Sequence, residues 1–340
     1  MKEFPDEGKR SIIKEMNNMT CRKVFGEVVY ESLTAQQKKW ALPILLFMVM
    51  KRNGTLKSRA CADGRQQRLW TNKEQVSSPT PSIDSLKYTM IVDAQENRDV
   101  AIVDLPAQFL QTEMDEVIHL KVPGPLALLL VEHDPSTWKK HLRKENGKPV
   151  IYVLCNKAIY GTLNAAILAY KKLTKYFVEW GFKMNPYKPC LWNKDINGKQ
   201  FTIIFHVDDL KLSHVDPSVV TMIINKLKDA YTGNSSIKDE LTITRGKVHD
   251  YLGMLISYEN VGEVRITMYD YLSKLIARLP EDMIGYKKTP AADYLFKTND
   301  GGELLNQSRK DTFHQLTAQT LWLSQRSRPD VQLPTGFMCT

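Results

Sequence analysis

Residues 201–213 read FTIIFHVDDLKLS, two apolar runs that meet at a pair of aspartates. Alternation puts Phe201, Ile203, Phe205 and Val207 on one face of a strand. Thr202, Ile204, His206 and Asp208 fall on the other. The pattern predicts a hydrophobic ribbon with its hairpin tip at Asp208-Asp209. Two carboxylates held that close repel, and a divalent cation is one way to relieve the repulsion. Asp-Asp is also good turn chemistry, and on this segment alone the turn stands ahead of the metal site.

A carboxylate elsewhere changes that weighing. Asp104 closes the apolar run VAIVD at residues 100–104, which reads as a buried strand. If that strand pairs beside the hairpin, Asp104 and Asp208 can share two Mg²⁺ ions. Mg²⁺ takes a few carboxylates together with phosphate oxygens and water. Two such ions about 3.5–4 Å apart stabilise both the attacking and the leaving oxygen in phosphoryl displacement.

Composition narrows the class. At 340 residues the prior is about two domains or one large one. Hydrophobic residues at 43% and charged residues at 25% exclude disorder, collagen and coiled coil for the chain as a whole. The net charge of +9 favours polyanionic partners. Cys21, Cys61, Cys155, Cys190 and Cys339 form no CxxC pair and no zinc-like spacing, so free thiols in a reducing compartment are expected. The longest apolar run, residues 41–50, is about half of a membrane span. The opening MKEFPDEGKRS is too charged for a secretory signal. The expectation is a soluble intracellular protein.

Residues 1–39 are polar with a weak helical period and read as a partly irregular extension. Asn53-Gly54 between two apolar runs predicts a hairpin. Residues 72–83 begin as a Ser/Pro/Thr loop. After Gly161, Leu163, Ala166, Ile167, Tyr170, Leu173, Phe177 and Trp180 recur at steps of three and four. Lys171, Lys172 and Lys175 fall off that stripe and read as a solvated face ahead of a contact with a polyanion's backbone. Two strands flank residues 195–198. A helix starts at Asp216-Pro217, with Val220, Ile223, Ile224, Leu227 and Tyr231 on its apolar face. Strands at 250–258 and 264–268 and helices at 269–279 and 312–325 follow. Strands and helices mix without βαβ alternation, which argues α+β.

Several blocks stand in order along the chain. They are KSRACADGRQQ at 57–67, DLPAQFLQT at 104–112 with Met114-Asp115-Glu116 behind it, AIYGTLNAA at 158–166, FHVDD at 205–209, GKVHDYLGM at 246–254 and Arg328-Pro329-Asp330. The ordered set resembles the reverse transcriptase of Ty/copia-type retrotransposons, above all the copia-like elements of diatoms and other algae. The resemblance implies a right-hand polymerase: an α+β fold with fingers, a palm built on an antiparallel sheet, and a thumb-like C-terminal part. Residues 40–260 would be fingers and palm. Residues 261–340 would be thumb-like and end before the family's ribonuclease H, so a Pol polyprotein fragment is expected. The family's metal ligands map to Asp104 and Asp208, with Asp209 supporting, and the ion to Mg²⁺ or Mn²⁺. Phe109 maps to the steric gate against a ribose 2′-hydroxyl, although a plain core Phe is the bland alternative. Arg59 and Lys57 map to the groups that meet the dNTP triphosphate. The implied partners are an RNA or DNA template with its primer and dNTPs, with no membrane. The implied location is a cytoplasmic virus-like particle or the nucleus.

The chain departs from the family pattern at four points. Gln108 stands before the gate where a small residue is usual, and would crowd the nucleotide pocket. Lys188 replaces an Asp and would cost a turn cap. His206 replaces the commoner Tyr; neither it nor His249 is expected to bind metal. The chain stops soon after Asp330. Tyr160-Gly161 reads either as a site of close backbone approach or as a plain turn. Three functions stand on the sequence: an RNA-directed DNA polymerase domain, a catalytically inactive remnant that at most binds nucleic acid, and an unrelated Mg²⁺-dependent phosphohydrolase.

Overall fold

The strand Leu42–Met50 pairs antiparallel with Leu56–Ala62, in register from Ile44 opposite Ala62 to Met50 opposite Leu56. The computed structural model describes residues 5–51, 54–232, 240–283, 285–297 and 301–340. The expected hairpin forms, with Gly54 at φ +78°; Arg52 and Asn53 lie outside the described residues. The chain divides into two units, interleaved in sequence. One comprises Met1–Thr80, Val103–Leu210 and Thr221–Thr242, the other Pro81–Ile102, Lys211–Val220 and Ile243–Thr340.

In the first unit that hairpin is the edge of a sheet ordered Phe25–Glu27, Lys148–Cys155, His119–Pro123, Leu42–Met50, Leu56–Ala62. The free edge is dressed by the helix Pro5–Cys21. Ser11 Oγ accepts from the Ser58 amide at 2.7 Å and Glu15 Oε1 from the Ala60 amide at 3.1 Å. Side chains thus satisfy the N–H groups that a bare edge strand would leave open. Ile12, Met16 and Met19, spaced four and three apart, face the core from the same helix.

A second ladder joins Lys183–Asn185, Lys188–Ile196 and Lys199–His206, all antiparallel. Its central turn, Asn197-Gly198, has both residues at positive φ, as a tight hairpin requires. Phe201 to Phe205 are all buried, including Thr202 and Ile204. Both faces of the expected hydrophobic ribbon are therefore covered. The helix Ala165–Glu179 covers one face, with Phe177 5.7 Å from Phe205 and 5.6 Å from Trp192 between ring centres. That helix buries Ala165, Leu168, Ala169, Leu173 and Phe177. It ends in a Schellman motif: Phe182 N–H donates to Phe177 O and Gly181 N–H to Val178 O, with Gly181 at φ +80°.

In the second unit the helix Ile83–Gln95, capped by Ser82, buries Leu86, Met90, Asp93 and Ala94. A three-stranded sheet runs Val248–Tyr251, Met254–Ser257, Arg265–Thr267. The strand expected at 250–258 is thus a hairpin, turning at Leu252-Gly253. The helices Tyr269–Ile276, Gln307–Arg326 and Gln332–Met338 follow. The five cysteines are free thiols. Among the described residues no helix is long and apolar enough to cross a membrane.

Candidate active site

The strand Asp99–Asp104 lies beside Asp209–His214, which in turn pairs with Lys199–His206. At the end of this arrangement the Leu105 N–H donates to the Asp208 carbonyl at 3.0 Å. One backbone bond therefore makes Asp104 and Asp208 neighbours, although about a hundred residues separate them in the chain. The hairpin turn falls at Val207-Asp208, one residue earlier than its sequence suggests, and Asp209 opens the returning strand. Val207 sits at φ +58° while Asp208 does not take a positive φ. That is the pattern of a II′ turn, whose first central position is usually Gly. A β-branched residue there costs about 1–3 kcal/mol, and such strain concentrates at functional sites.

The electrostatics single out the same corner. Asp104 is half-buried, and its carboxyl is held above the usual carboxylate range by burial first and by the Asp208 charge second. Lys57 and Arg59 act on it in the opposite direction. They stand two apart on the strand Leu56–Ala62, so they share a face, while Ser58 and Ala60 point into the core. Burial and the neighbouring Arg59 charge hold the Lys57 ammonium below its usual value, with Asp104 among the groups opposing this. Asp104 thus feels one neighbouring carboxylate and two cations of the strand Leu56–Ala62.

Aromatic rings tie the cations to Phe109. The Arg59 guanidinium lies 4.7 Å from the centre of the Tyr160 ring. Tyr160 in turn meets Phe109 edge-to-face, with centres 4.9 Å apart and planes at 68°. The backbone below is interlocked. Ala62 N–H donates to Tyr160 O at 2.7 Å. A Cβ on Gly161, at φ +94°, would stand 2.0 Å from Ala62 O, and one on Gly64 would stand 2.1 Å from Gly161 O. Close approach, by the chain's own backbone, is therefore the role of Gly161. Gln67, fully buried, accepts from the Leu163 amide at 2.9 Å and holds the same junction.

The remaining positions fall as follows. Gln108 is 3% exposed and turns inward toward Tyr231. Lys171 and Lys175 are exposed, but Lys172 is not on a solvated face: its Nζ donates to Gln111 O at 2.7 Å. At Lys188 the turn keeps a cap, because Asn185 Oδ1 accepts from the Tyr187 amide at 2.9 Å. His206 is half-buried; His249 is buried and its Nε2 lies 3.0 Å from Gly246 O. The sequence offered Asp104 and Asp208 as partners and the resemblance added Arg59, Lys57 and Phe109, but the Tyr160 ring between Arg59 and Phe109 was missed.

Among the described residues no cluster of three or more His, Cys, Asp or Glu side chains is placed to hold a metal ion. Asp104 and Asp208 offer two carboxylates. That donor set suits Mg²⁺, which is bound through one or two carboxylates with the rest of its shell from phosphate and water. The raised Asp104 carboxyl fits as well: burial raises it first and the Asp208 charge second, and a cation would relieve the second.

Comparison with known proteins gives the same direction. A family model described as "Reverse transcriptase (RNA-dependent DNA polymerase)" matches residues 37–290. A transposon Ty5-1 protein of Saccharomyces cerevisiae is 22% identical over 241 residues, 69% of this chain and 68% of that protein. The retrovirus-related Pol polyprotein from transposon TNT 1-94 of Nicotiana tabacum is 22% identical over 243 residues, 70% of this chain. The Ty1-DR4 Gag-Pol polyprotein of S. cerevisiae is 22% identical over 311 residues, 89% of this chain. The matched regions make up only 16% and 18% of those two polyproteins. In fold, the chain is similar to a foamy viral protease–reverse transcriptase solved in complex with double-stranded DNA. The TM-score is 0.50 at 14% identity, over 93% of this chain and 40% of that one. The chain belongs to the reverse transcriptase (RNA-dependent DNA polymerase) family and is the reverse transcriptase domain of a Ty/copia-type retrotransposon.

Proposed function

We propose that the chain carries out template-directed transfer of a nucleotidyl group from a dNTP to a primer 3′-hydroxyl, with Mg²⁺ held by Asp104 and Asp208. The observation that supports this reading is the Leu105–Asp208 backbone bond, which makes the two acidic residues neighbours, with Lys57 and Arg59 acting on the Asp104 charge. When bound, Mg²⁺ supplies charge neutralisation at the triphosphate and makes the 3′-hydroxyl easier to deprotonate. Arg59 and Lys57 are the groups that bind the triphosphate, Arg59 through paired N–H donors. Phe109, braced by Tyr160, is the ring that meets the sugar edge and excludes a 2′-hydroxyl. Asp209 supports the turn that presents Asp208. The net charge of +9 suits a primer–template duplex, and the setting proposed for the chain is a cytoplasmic virus-like particle or the nucleus.

Primer extension by the full chain on an RNA template, with Mg²⁺ and dNTPs, tests the reading. Template-dependent extension supports it. Duplex binding without extension identifies an inactive remnant. Phosphate release without a template identifies a phosphohydrolase.

A further inference from the structure

The loop that carries Phe109 is tied from below to two helices. Its turn, Phe109–Gln111, follows Gln108, whose buried amide faces the Tyr231 hydroxyl on the helix Pro217–Thr232. Neither polar atom of the Gln108 amide, nor the Tyr231 hydroxyl, has a hydrogen bond of good geometry. From the helix Ala165–Glu179, Lys172 reaches the far end of the turn at Gln111 O, 2.7 Å away. Its ammonium also lies 5.2 Å from the centre of the Tyr231 ring. Burial brings the Lys172 ammonium down to about 8. The loop itself is braced: Gln111 Nε2 donates to Pro106 O at 2.7 Å and Thr112 Oγ1 to Gln108 O at 2.9 Å. Ala107 between them is held at φ +48°.

This cluster is not built for stability. A buried amide and hydroxyl without good partners destabilise a fold, and apolar groups of the same shape do better. A lysine taken out of water adds to the cost. Features of this kind persist where a function needs one fixed geometry. Here the fixed object is the turn that begins at Phe109.

We propose that Lys172, Tyr231 and Gln108 form a buried polar clasp that fixes the Phe109 ring, so that Lys172 and Tyr231 are positioning residues for discrimination between deoxyribose and ribose. The proposal rests on the polymerase reading, with Phe109 as the gate. Lys172 holds the C-terminal end of the turn by its carbonyl, and Tyr231 stands against Gln108 at its N-terminal end. Loosening either end lets the ring swing away from the sugar.

The test uses the full chain as wild type, Lys172→Met, Lys172→Arg and Tyr231→Phe. Each is assayed for kcat and KM with dGTP and with GTP in primer extension, and for its thermal midpoint. Lys172→Met, which loses the bond to the Gln111 carbonyl, and Tyr231→Phe, which changes what faces Gln108, are each expected to lower the preference for dGTP by about fivefold or more. Their midpoints should stay level or rise. Lys172→Arg should restore the preference, since its guanidinium also reaches the Gln111 carbonyl. An active wild type whose two variants keep the full preference overturns the proposal, whatever their midpoints. So does a preference that falls only in step with the midpoint. A wild type that extends no primer removes the polymerase reading and this inference with it, an outcome visible before any variant is measured.

Discussion

The Leu105 amide nitrogen lies 3.0 Å from the Asp208 carbonyl oxygen, and this one bond brings together acidic blocks that are remote in the chain. It is a backbone bond, so the juxtaposition of Asp104 with Asp208 does not depend on either carboxylate. Removing a charge leaves the corner in place. That makes the side chains testable separately from the scaffold.

Asp208→Asn keeps the Val207-Asp208 turn and the Leu105 bond while weakening the proposed cation site. Loss of a metal ligand removes several kcal/mol of transition-state stabilisation, so incorporation should fall about a thousandfold or more. Affinity for a primer–template duplex should hardly change, because it rests on phosphate contacts. Primer extension and a binding titration check the two parts. Full incorporation by the variant would contradict the assignment of Asp208.

Asp104→Asn should raise stability while abolishing activity. The folded-state carboxyl lies above its ordinary value of 3.8, through burial and the Asp208 charge. The sign follows from linkage: the folded state binds its proton more tightly than the unfolded state, so stability falls as pH rises from 3.8 through the raised value. At neutral pH the charged form is a net cost, which the amide removes. Thermal midpoints of wild type and variant should differ most at pH 7 and converge as pH falls toward the ordinary carboxylate range. A variant less stable than wild type at pH 7 would show that the charge is compensated.

The sequence exposed those acidic positions because each closes an apolar run, a pattern that needs no tertiary knowledge. The turn between them was harder. Asp-Asp outranks Val-Asp as a turn pair, yet Val207 takes the positive φ, and tertiary context overrides that preference. Leu252 at φ +51° hides a second turn in the same way. Lys172 lay off the apolar stripe and read as solvated. Half-buried, it reaches Gln111 and lies near Tyr231, on a helix whose docking no local pattern encodes. The Gly64–Gly161 interlock joins segments about a hundred residues apart, so glycine alone could say only that something comes close.

Gly161→Ala and Gly64→Ala should each disrupt the junction between the strand Leu56–Ala62 and the Tyr160 segment. A methyl group at either position would stand at about half a normal contact distance from a carbonyl oxygen, 2.0 Å and 2.1 Å. The backbone must move, at about 3 kcal/mol or more. Gly54→Ala is the control. It has a positive φ but open space around it, so only the conformational cost of about 1–2 kcal/mol applies. Urea unfolding of the three variants gives the ranking, and a Gly161→Ala no worse than Gly54→Ala would show that the close approach is absent in solution.

Arg59 carries both a charge and a planar fork stacked on Tyr160. Arg59→Lys keeps the charge and loses the paired donors, so KM for dNTPs should rise about tenfold with kcat less affected. Tyr160→Leu removes the shared ring and should disturb both ends of the stack, raising KM and relaxing the Phe109 position. Steady-state kinetics with a single dNTP separates the two. An Arg59→Lys variant with unchanged KM would place the triphosphate elsewhere.

In the second unit Lys211 and Asp93 form an ion pair whose side chains are each 1% exposed, and Tyr258 Oη donates to the same Asp93 oxygen at 3.4 Å. Burial pulls the Lys211 ammonium below its usual value and the Asp93 charge opposes it. Removing one partner of such a pair strands the other charge, at about 3–5 kcal/mol. Lys211→Met should therefore lose that much in denaturant unfolding. Adding Asp93→Leu removes the stranded charge and should recover most of the loss, because two well-packed apolar groups replace a pair whose desolvation nearly cancels its attraction. One residual cost is foreseen: the Tyr258 hydroxyl loses its acceptor in the double variant, and Tyr258→Phe in that background should return about 1–3 kcal/mol. A double variant as unstable as Lys211→Met alone would mean that the pair shapes the packing around it rather than merely neutralising itself.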